Sequence, residues 1–149
     1  MKINAFADVS LRALMVLAAV PDGTLLTTQS IADSVGTPYN HVSKAMAKLR
    51  SLGLIEVVRG RLGGSQLSHA GRVASVGQIL RQLDSRADPA DCVSPAGNCP
   101  LITECRLRSA LARAREAFYA ELDSVVIADL PQARQMAPVF QVIGLRPGL

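Results

Sequence analysis

Cys92, Cys99 and Cys105 lie within fourteen residues, and this chain of 149 residues holds no other cysteine. Pro95, Gly97, Asn98 and Pro100 fall between them, so the segment reads as a loop on which three sulfurs can converge. An odd, clustered set of thiols is a poor disulfide framework and a good partial coordination shell. Soft thiolates favour zinc or an iron–sulfur cluster, and both usually need a fourth ligand. The two histidines, His41 and His69, are distant from the thiols in sequence. A Cys/His zinc site therefore requires the chain to fold back on itself. An iron–sulfur cluster accepts three protein thiolates and leaves one iron for a non-cysteine ligand.

A second set of residues suits a polyanion. The net charge is +4, yet residues 1–80 hold eight Lys/Arg against four Asp/Glu, while 81–149 hold eight of each. Thr37 to Arg72 alone carries six bases and one acid, Glu56. Such a local field attracts nucleic acid, or is simply a solvated surface. Thr37, Tyr39, Asn40, His41, Ser43, Lys44 and Lys48 fall on one predicted helix. Asparagine pairs bidentately with adenine, and lysine reaches guanine or phosphate. Arg59 and Arg61 flank Gly60, just ahead of Gly63-Gly64. Two arginines on a glycine-flexible tip suit a narrow minor groove. Each has a plainer role available: Tyr39 as packing, His41 as a surface residue, Gly63 and Gly64 as turn chemistry.

The elements that must position these residues can be read from periodicity. Phe6, Val9, Ala13, Leu14 and Leu17 mark a helix over about 3–19, ended by Pro21-Asp22-Gly23. Thr27 or Thr28 caps a short second helix that Gly36 stops. Thr28 can also offer its hydroxyl and N–H to phosphate. Thr37 is expected to cap a third helix with Pro38 in its first turn. Val42, Ala45, Met46, Leu49 and Leu52 form its buried stripe, opposite Asn40, Lys44 and Lys48. The β-branched run 54–58 and segment 65–68 read as a hairpin. A helix over about 73–83 leads to the cysteine loop. Beyond it, Leu107, Leu111, Ala114, Phe118, Leu122 and Val125 lie close to a heptad seam that Pro131 closes. From Gln132 onward, Pro138 and Pro147-Gly148 suggest a loosely ordered tail.

Short helix, glycine turn, basic helix and hairpin is the order of a winged helix-turn-helix, whose second helix enters the major groove. Hydrophobic residues make up 49% of the chain and aromatics 3%, so the core is aliphatic and suits helices. No apolar run reaches the ~18–20 residues that cross a bilayer. No basic leader with a cleavage site precedes Leu11–Val20. Clustered thiols without an export signal point to a reducing cytoplasm. No nucleophile–base set or acid pair indicates an enzyme.

Several segments carry a resemblance. They are Phe6-Ala-Asp8 with Leu11-Arg12-Ala13-Leu14, Val35 to Tyr39, Leu52-Gly53-Leu54, Val58 to Gly64, and the three-cysteine loop. Over about residues 1–130 the chain resembles the iron–sulfur winged-helix repressors that include IscR, RirA and NsrR. Pro38-Tyr39, Ser75-Val76-Gly77 and Cys105-Arg106-Leu107-Arg108 bring it nearest the NsrR-type nitric-oxide sensors. The resemblance implies a homodimer with one cluster per subunit, held by Cys92, Cys99 and Cys105. IscR-like members add a histidine soon after the third cysteine, where this chain has Arg106, Leu107 and Arg108. NsrR-like members add an aspartate from the partner's first helix, which Asp8 matches. Asp8 can otherwise simply stabilise the first turn through the helix dipole. Arg12, one turn on, can pair with Asp8 when the cluster is lost.

The resulting expectation is a mainly α protein. A winged helix-turn-helix with a two-stranded β wing and connecting helix spans 1–83, a cluster loop 84–105, a long dimerisation helix 106–130 and a tail 131–149. The expected activity is repression from an inverted-repeat operator in duplex DNA. A 4Fe–4S cluster, in preference to 2Fe–2S, is expected to respond to nitric oxide. Sensing of iron or cluster supply on the same fold is the nearest alternative. A zinc-stabilised DNA-binding module and an electron-transfer iron–sulfur protein are the others.

Overall fold

The computed structural model describes residues 3–84, 92–94 and 97–145. Helix α1 spans Ala5–Ala19. It starts at Asn4, whose side-chain oxygen accepts from the Ala7 N–H at 2.7 Å. Its apolar stripe, including Ala13, Leu14 and Leu17, is buried at the centre of the core. Helix α2, Thr28–Val35, is capped by Thr27 and stopped by Gly36. Gly36 takes the left-handed conformation (φ 61°) that glycine adopts without a Cβ penalty.

Helix α3, Tyr39–Ser51, buries Val42, Ala45, Met46 and Leu49 against α1 and α2. The expected Thr37 cap is not made. Pro38 occupies the cap position, and the Thr37 hydroxyl donates back to the Val35 carbonyl at 3.4 Å. Strands β1 (Ile55–Val58) and β2 (Gly64–Leu67) pair antiparallel, with Ile55 opposite Leu67 and Val58 opposite Gly64. Leu26 adds a bridge to Ser65, with reciprocal N–H···O bonds of 3.0 and 2.8 Å. A Cβ on Gly64 would meet the Leu26 backbone at 2.9–3.0 Å. Glycine there lets the wing lie against the segment that enters α2.

The helix expected over about 73–83 begins three residues later, at Val76, and a separate short helix that was not expected precedes it. Helix α4, His69–Val73, and helix α5, Val76–Leu83, are separated by Ala74 and Ser75. Ser75 and Gln78 form a reciprocal capping box, so α5 restarts instead of continuing. Strands β3 (Val93–Ser94) and β4 (Gly97–Asn98) form a small hairpin ahead of helix α6, Arg106–Glu121. Helix α6 also ends earlier than the seam suggested. Leu122–Ser124 and Ile127–Asp129 are 3₁₀ turns. Between them the backbone pairs with the entry to α5: Val76 N–H donates to Val125 at 2.8 Å, and Ile127 N–H to Ala74 at 3.0 Å. Those bonds replace helical ones, and Ile127 becomes fully buried.

The loosely ordered tail is corrected for its described part, while Pro147-Gly148 lie outside the described residues. Residues Ala133–Val142 form helix α7, with Pro138 inside it. Met136 is buried, and Val139 and Phe140 pack onto the core against α1 and α2. Burial of that face outweighs the hydrogen bond that proline removes. Among the described residues no helix is long and apolar enough to cross a membrane.

Candidate nucleic-acid interface and cysteine loop

The buried stripe of α3 turns its opposite face outward. Asn40, His41, Lys44 and Lys48 are exposed, Tyr39 is 48% exposed, and Thr37 and Ser43 are half-buried. Thr28 is half-buried at the first residue of α2, ahead of α3. On the wing, Arg59 and Arg61 are exposed. Lys44, Lys48, Arg59 and Arg61 make no ion pair among the described residues. The fold thus presents helix and wing as separate cationic features with their charges uncommitted. Gly63 and Gly64 are half-buried and serve the hairpin's packing. A Cβ on Gly63 would collide with the Val58 carbonyl oxygen.

The cysteines are positioned by different devices. Cys92 and Cys99 flank the β3–β4 hairpin, and the Cys99 N–H donates to the Cys92 carbonyl at 3.3 Å. They lie one residue beyond the terminal pair Val93–Asn98. The Ile102 N–H then turns back to the Cys99 carbonyl at 3.3 Å. Glu104 adopts φ 54°, a left-handed conformation uncommon outside glycine. Cys105 follows as the N-cap of α6, its sulfur accepting from the Arg108 N–H at 3.5 Å. All three cysteines are half-buried.

Among the described residues no group of three His, Cys, Asp or Glu side chains is placed to hold a metal ion. Cys92 and Cys99 flank one hairpin, while the Cys105 sulfur is tied to the head of α6. Bonds to a metal usually supply the free energy that closes such a site. In donor chemistry the set fits an iron–sulfur group: three thiols on a turn-rich segment, one beside first-turn N–H groups. His41 and His69 lie on α3 and α4, in the winged-helix half.

Asp8 lies in the first turn of α1 and is half-buried. Arg12 grips it with two contacts, Nε to Oδ1 at 3.0 Å and Nη2 to Oδ2 at 2.8 Å. The pair stands at a cleft of about 490 Å³ between α1, α2 and α7, walled by Leu11, Met15, Val35 and Met136.

Sequence reasoning missed a polar clamp that joins the two halves. Arg81 on α5 donates to Glu116 on α6 at 2.7 Å and to Asp123 at 2.6 Å. Its guanidinium also lies 5.5 Å from the Tyr119 ring centre. Hydrogen bonds to Asp123 and Glu116 raise the Arg81 pKa further above its usual range, and the bond from Arg81 lowers that of Asp123. The Tyr119 hydroxyl donates to Asp84, the residue that ends α5. These partners lie 35 and 42 residues apart, beyond the reach of any local pattern.

The chain matches a family model described as Rrf2, iron-dependent transcriptional regulator, over residues 3–133. The chain belongs to the Rrf2 family. It is also 46% identical over 148 residues to the HTH-type transcriptional repressor NsrR of Streptomyces coelicolor, covering 99% of each chain. Among solved structures, the IscR of T. potens is similar at a TM-score of 0.67 and 25% identity, over 87% of this chain and 85% of that one. CymR, the global cysteine regulator of B. subtilis, is similar at 0.65 and 25% identity, over 87% and 95%. As an Rrf2 protein this chain is a winged-helix transcriptional regulator and not an enzyme. The winged-helix architecture read from helix, turn and hairpin signals therefore holds for the Rrf2 chain as folded.

Proposed function

We propose that this Rrf2 protein is a nitric-oxide-responsive repressor. It acts in the cytoplasm as a homodimer and carries one 4Fe–4S cluster per subunit. The observation that carries the reading is the cysteine set: Cys92 opposite Cys99 across a hairpin, and Cys105 at the head of α6. Its weight comes from the chain's 46% identity to the NsrR repressor of Streptomyces coelicolor.

In this reading Cys92, Cys99 and Cys105 would hold the cluster, and Asp8 of the other subunit would complete it. A bound cluster would supply iron that nitric oxide can attack. The rest falls to this chain. Asp8 exchanges between Arg12 and the partner's loop, so the loop is tied to the partner's α1 only while Arg12 is released. Loss of that tie lets the two recognition helices change spacing against fixed half-sites. Thr28, Thr37, Tyr39, Asn40, His41, Ser43, Lys44 and Lys48 face the major groove and its phosphates. Arg59 and Arg61 reach the minor groove. A two-fold dimer presents two copies of this surface, so the operator is an inverted repeat of duplex DNA. Leu107 and Leu111, exposed by 67% and 37% on α6, would meet their copies in the dimer. Residues 1–83 bind DNA, 84–105 hold the cluster, 106–130 dimerise, and 131–149 form the tail.

A second reading is sensing of iron or cluster supply, supported by the iron-dependent description of the matching family. Anaerobically purified protein separates the two. Iron and sulfide near four each per chain, with release of operator DNA on adding nitric oxide, supports the first. Release by an iron chelator but not by nitric oxide supports the second. Stoichiometric zinc without sulfide removes both.

A further inference from the structure

Leu62 is 89% exposed, more than any other large apolar side chain among the described residues. It stands at the tip of the wing, in a turn closed by a 3.0 Å bond from the Gly63 N–H to the Gly60 carbonyl. Arg61 and Leu62 are the corner residues of that turn. The backbone of the turn is set by its glycines. Gly60 has φ 115°, and Gly63 lies so close to the Val58 carbonyl that a side chain there would collide with it. The hydrophobic core has no use for Leu62, because the hairpin is anchored through Ile55, Leu67 and the Leu26–Ser65 bridge. Single exposed apolar side chains are common on protein surfaces; what singles out Leu62 is its place on the wing tip beside exposed arginines.

The neighbours of Leu62 define the partner. Arg59 and Arg61 are exposed on the same tip and make no ion pair among the described residues. Two cations beside one apolar side chain complement a surface with phosphates at its edges and deoxyribose C–H groups and base steps within. That surface is the DNA minor groove, where arginine reads width and inserted leucines wedge base steps. We propose that Leu62 is an apolar wedge, carried by the wing into the minor groove beside Arg61, and that it favours flexible pyrimidine–purine steps beneath it. This rests on the DNA-binding reading and adds a contact that carries no charge.

The absence of charge makes the wedge testable apart from the arginines. The full-length protein is titrated, across a salt series, against a duplex that wild-type protein selects from a random library. A 2-aminopurine is placed at a pyrimidine–purine step under the wing. Leu62→Ala is expected to weaken binding about tenfold, the usual consequence of losing one buried leucine contact. The salt slope should stay unchanged, because no phosphate contact is lost. The 2-aminopurine fluorescence gain on binding should disappear, and Leu62→Met should restore most of it. Wild-type affinity and fluorescence in Leu62→Ala would overturn the wedge while leaving the DNA-binding reading intact. A weaker Leu62→Ala with a shallower salt slope would also overturn it, since the arginines would have moved. Wild-type protein that selects no duplex would instead sink the DNA-binding reading, and the wedge with it.

Discussion

Arg12 holds both carboxylate oxygens of Asp8, at 3.0 and 2.8 Å, across a single turn of α1. Arg12 is 56% exposed and Asp8 39%, and exposed pairs of this kind add only about 0.3–0.5 kcal/mol. The pair is thus cheap to open, which suits an acid that changes partners. Arg12→Ala should leave the unfolding midpoint almost unchanged. Asp8→Ala should still assemble a cluster on three thiolates, with a shifted absorption spectrum. Its operator affinity should depend less on whether the cluster is intact. An Asp8→Ala protein with the wild-type spectrum and nitric-oxide response in a gel-shift titration would return Asp8 to a purely helical role.

Cys92→Ser, Cys99→Ser and Cys105→Ser should each abolish or severely deplete iron and sulfide in anaerobic protein. Far-UV circular dichroism should remain helical, because the three residues lie outside the buried core. Retention of full iron content in any one variant would remove that cysteine from the ligand set.

Lys44→Ala and Arg61→Ala should weaken DNA binding without changing cluster content, since both are exposed and far in sequence from the cysteine loop. If Lys44 meets only phosphate, its loss should act evenly across sequences and reduce the salt slope by about one. Unchanged binding in both variants would refute the groove contacts assigned to α3 and the wing.

Gly77→Ala tests how closely α5 approaches the end of α6. An added Cβ would strike the Tyr119 carbonyl and Asp123. Overpacking of this kind costs roughly 1–3 kcal/mol, visible as a lower urea midpoint. A neutral substitution would mean that α5 and α6 separate easily.

The Arg81 clamp predicts a pH dependence with a definite sign. The Asp123 pKa is lowered in the folded chain by its bond from Arg81. Its contribution to stability is therefore present above the ordinary value of 3.8 and lost as pH falls through the lower, folded value. Arg81→Ala should lower the urea midpoint at neutral pH, and its deficit should shrink in acid through that window. Arg81→Lys should not restore it fully, because an ammonium cannot span Glu116 and Asp123 in one plane. A deficit constant down to the most acid conditions would assign the loss to packing on Tyr119 instead.

Chemistry within a few residues was enough to identify much of this chain. Thr27 and Gly36 bound α2 as expected, because cap and stop act across one turn. Val42, Ala45, Met46 and Leu49 are buried as their spacing requires, whereas Leu52, at the C-cap, is only half-buried; the wing pairs where β-branched residues and glycines allow. The Ser75–Gln78 capping box was equally local, and its spacing alone could have divided α4 from α5. Three other features depended on partners remote in sequence. Helix α6 stops at Glu121 because Val125 and Ile127 bond to the entry of α5. Residues 133–142 are helical because Met136 finds a buried place against α1 and α2, despite Pro138. Arg81 meets Glu116 and Asp123 only after two helices pack. Periodicity reports which face of a segment is apolar, but not what will cover it. Helix ends, the tail and the clamp were decided by what covered those faces.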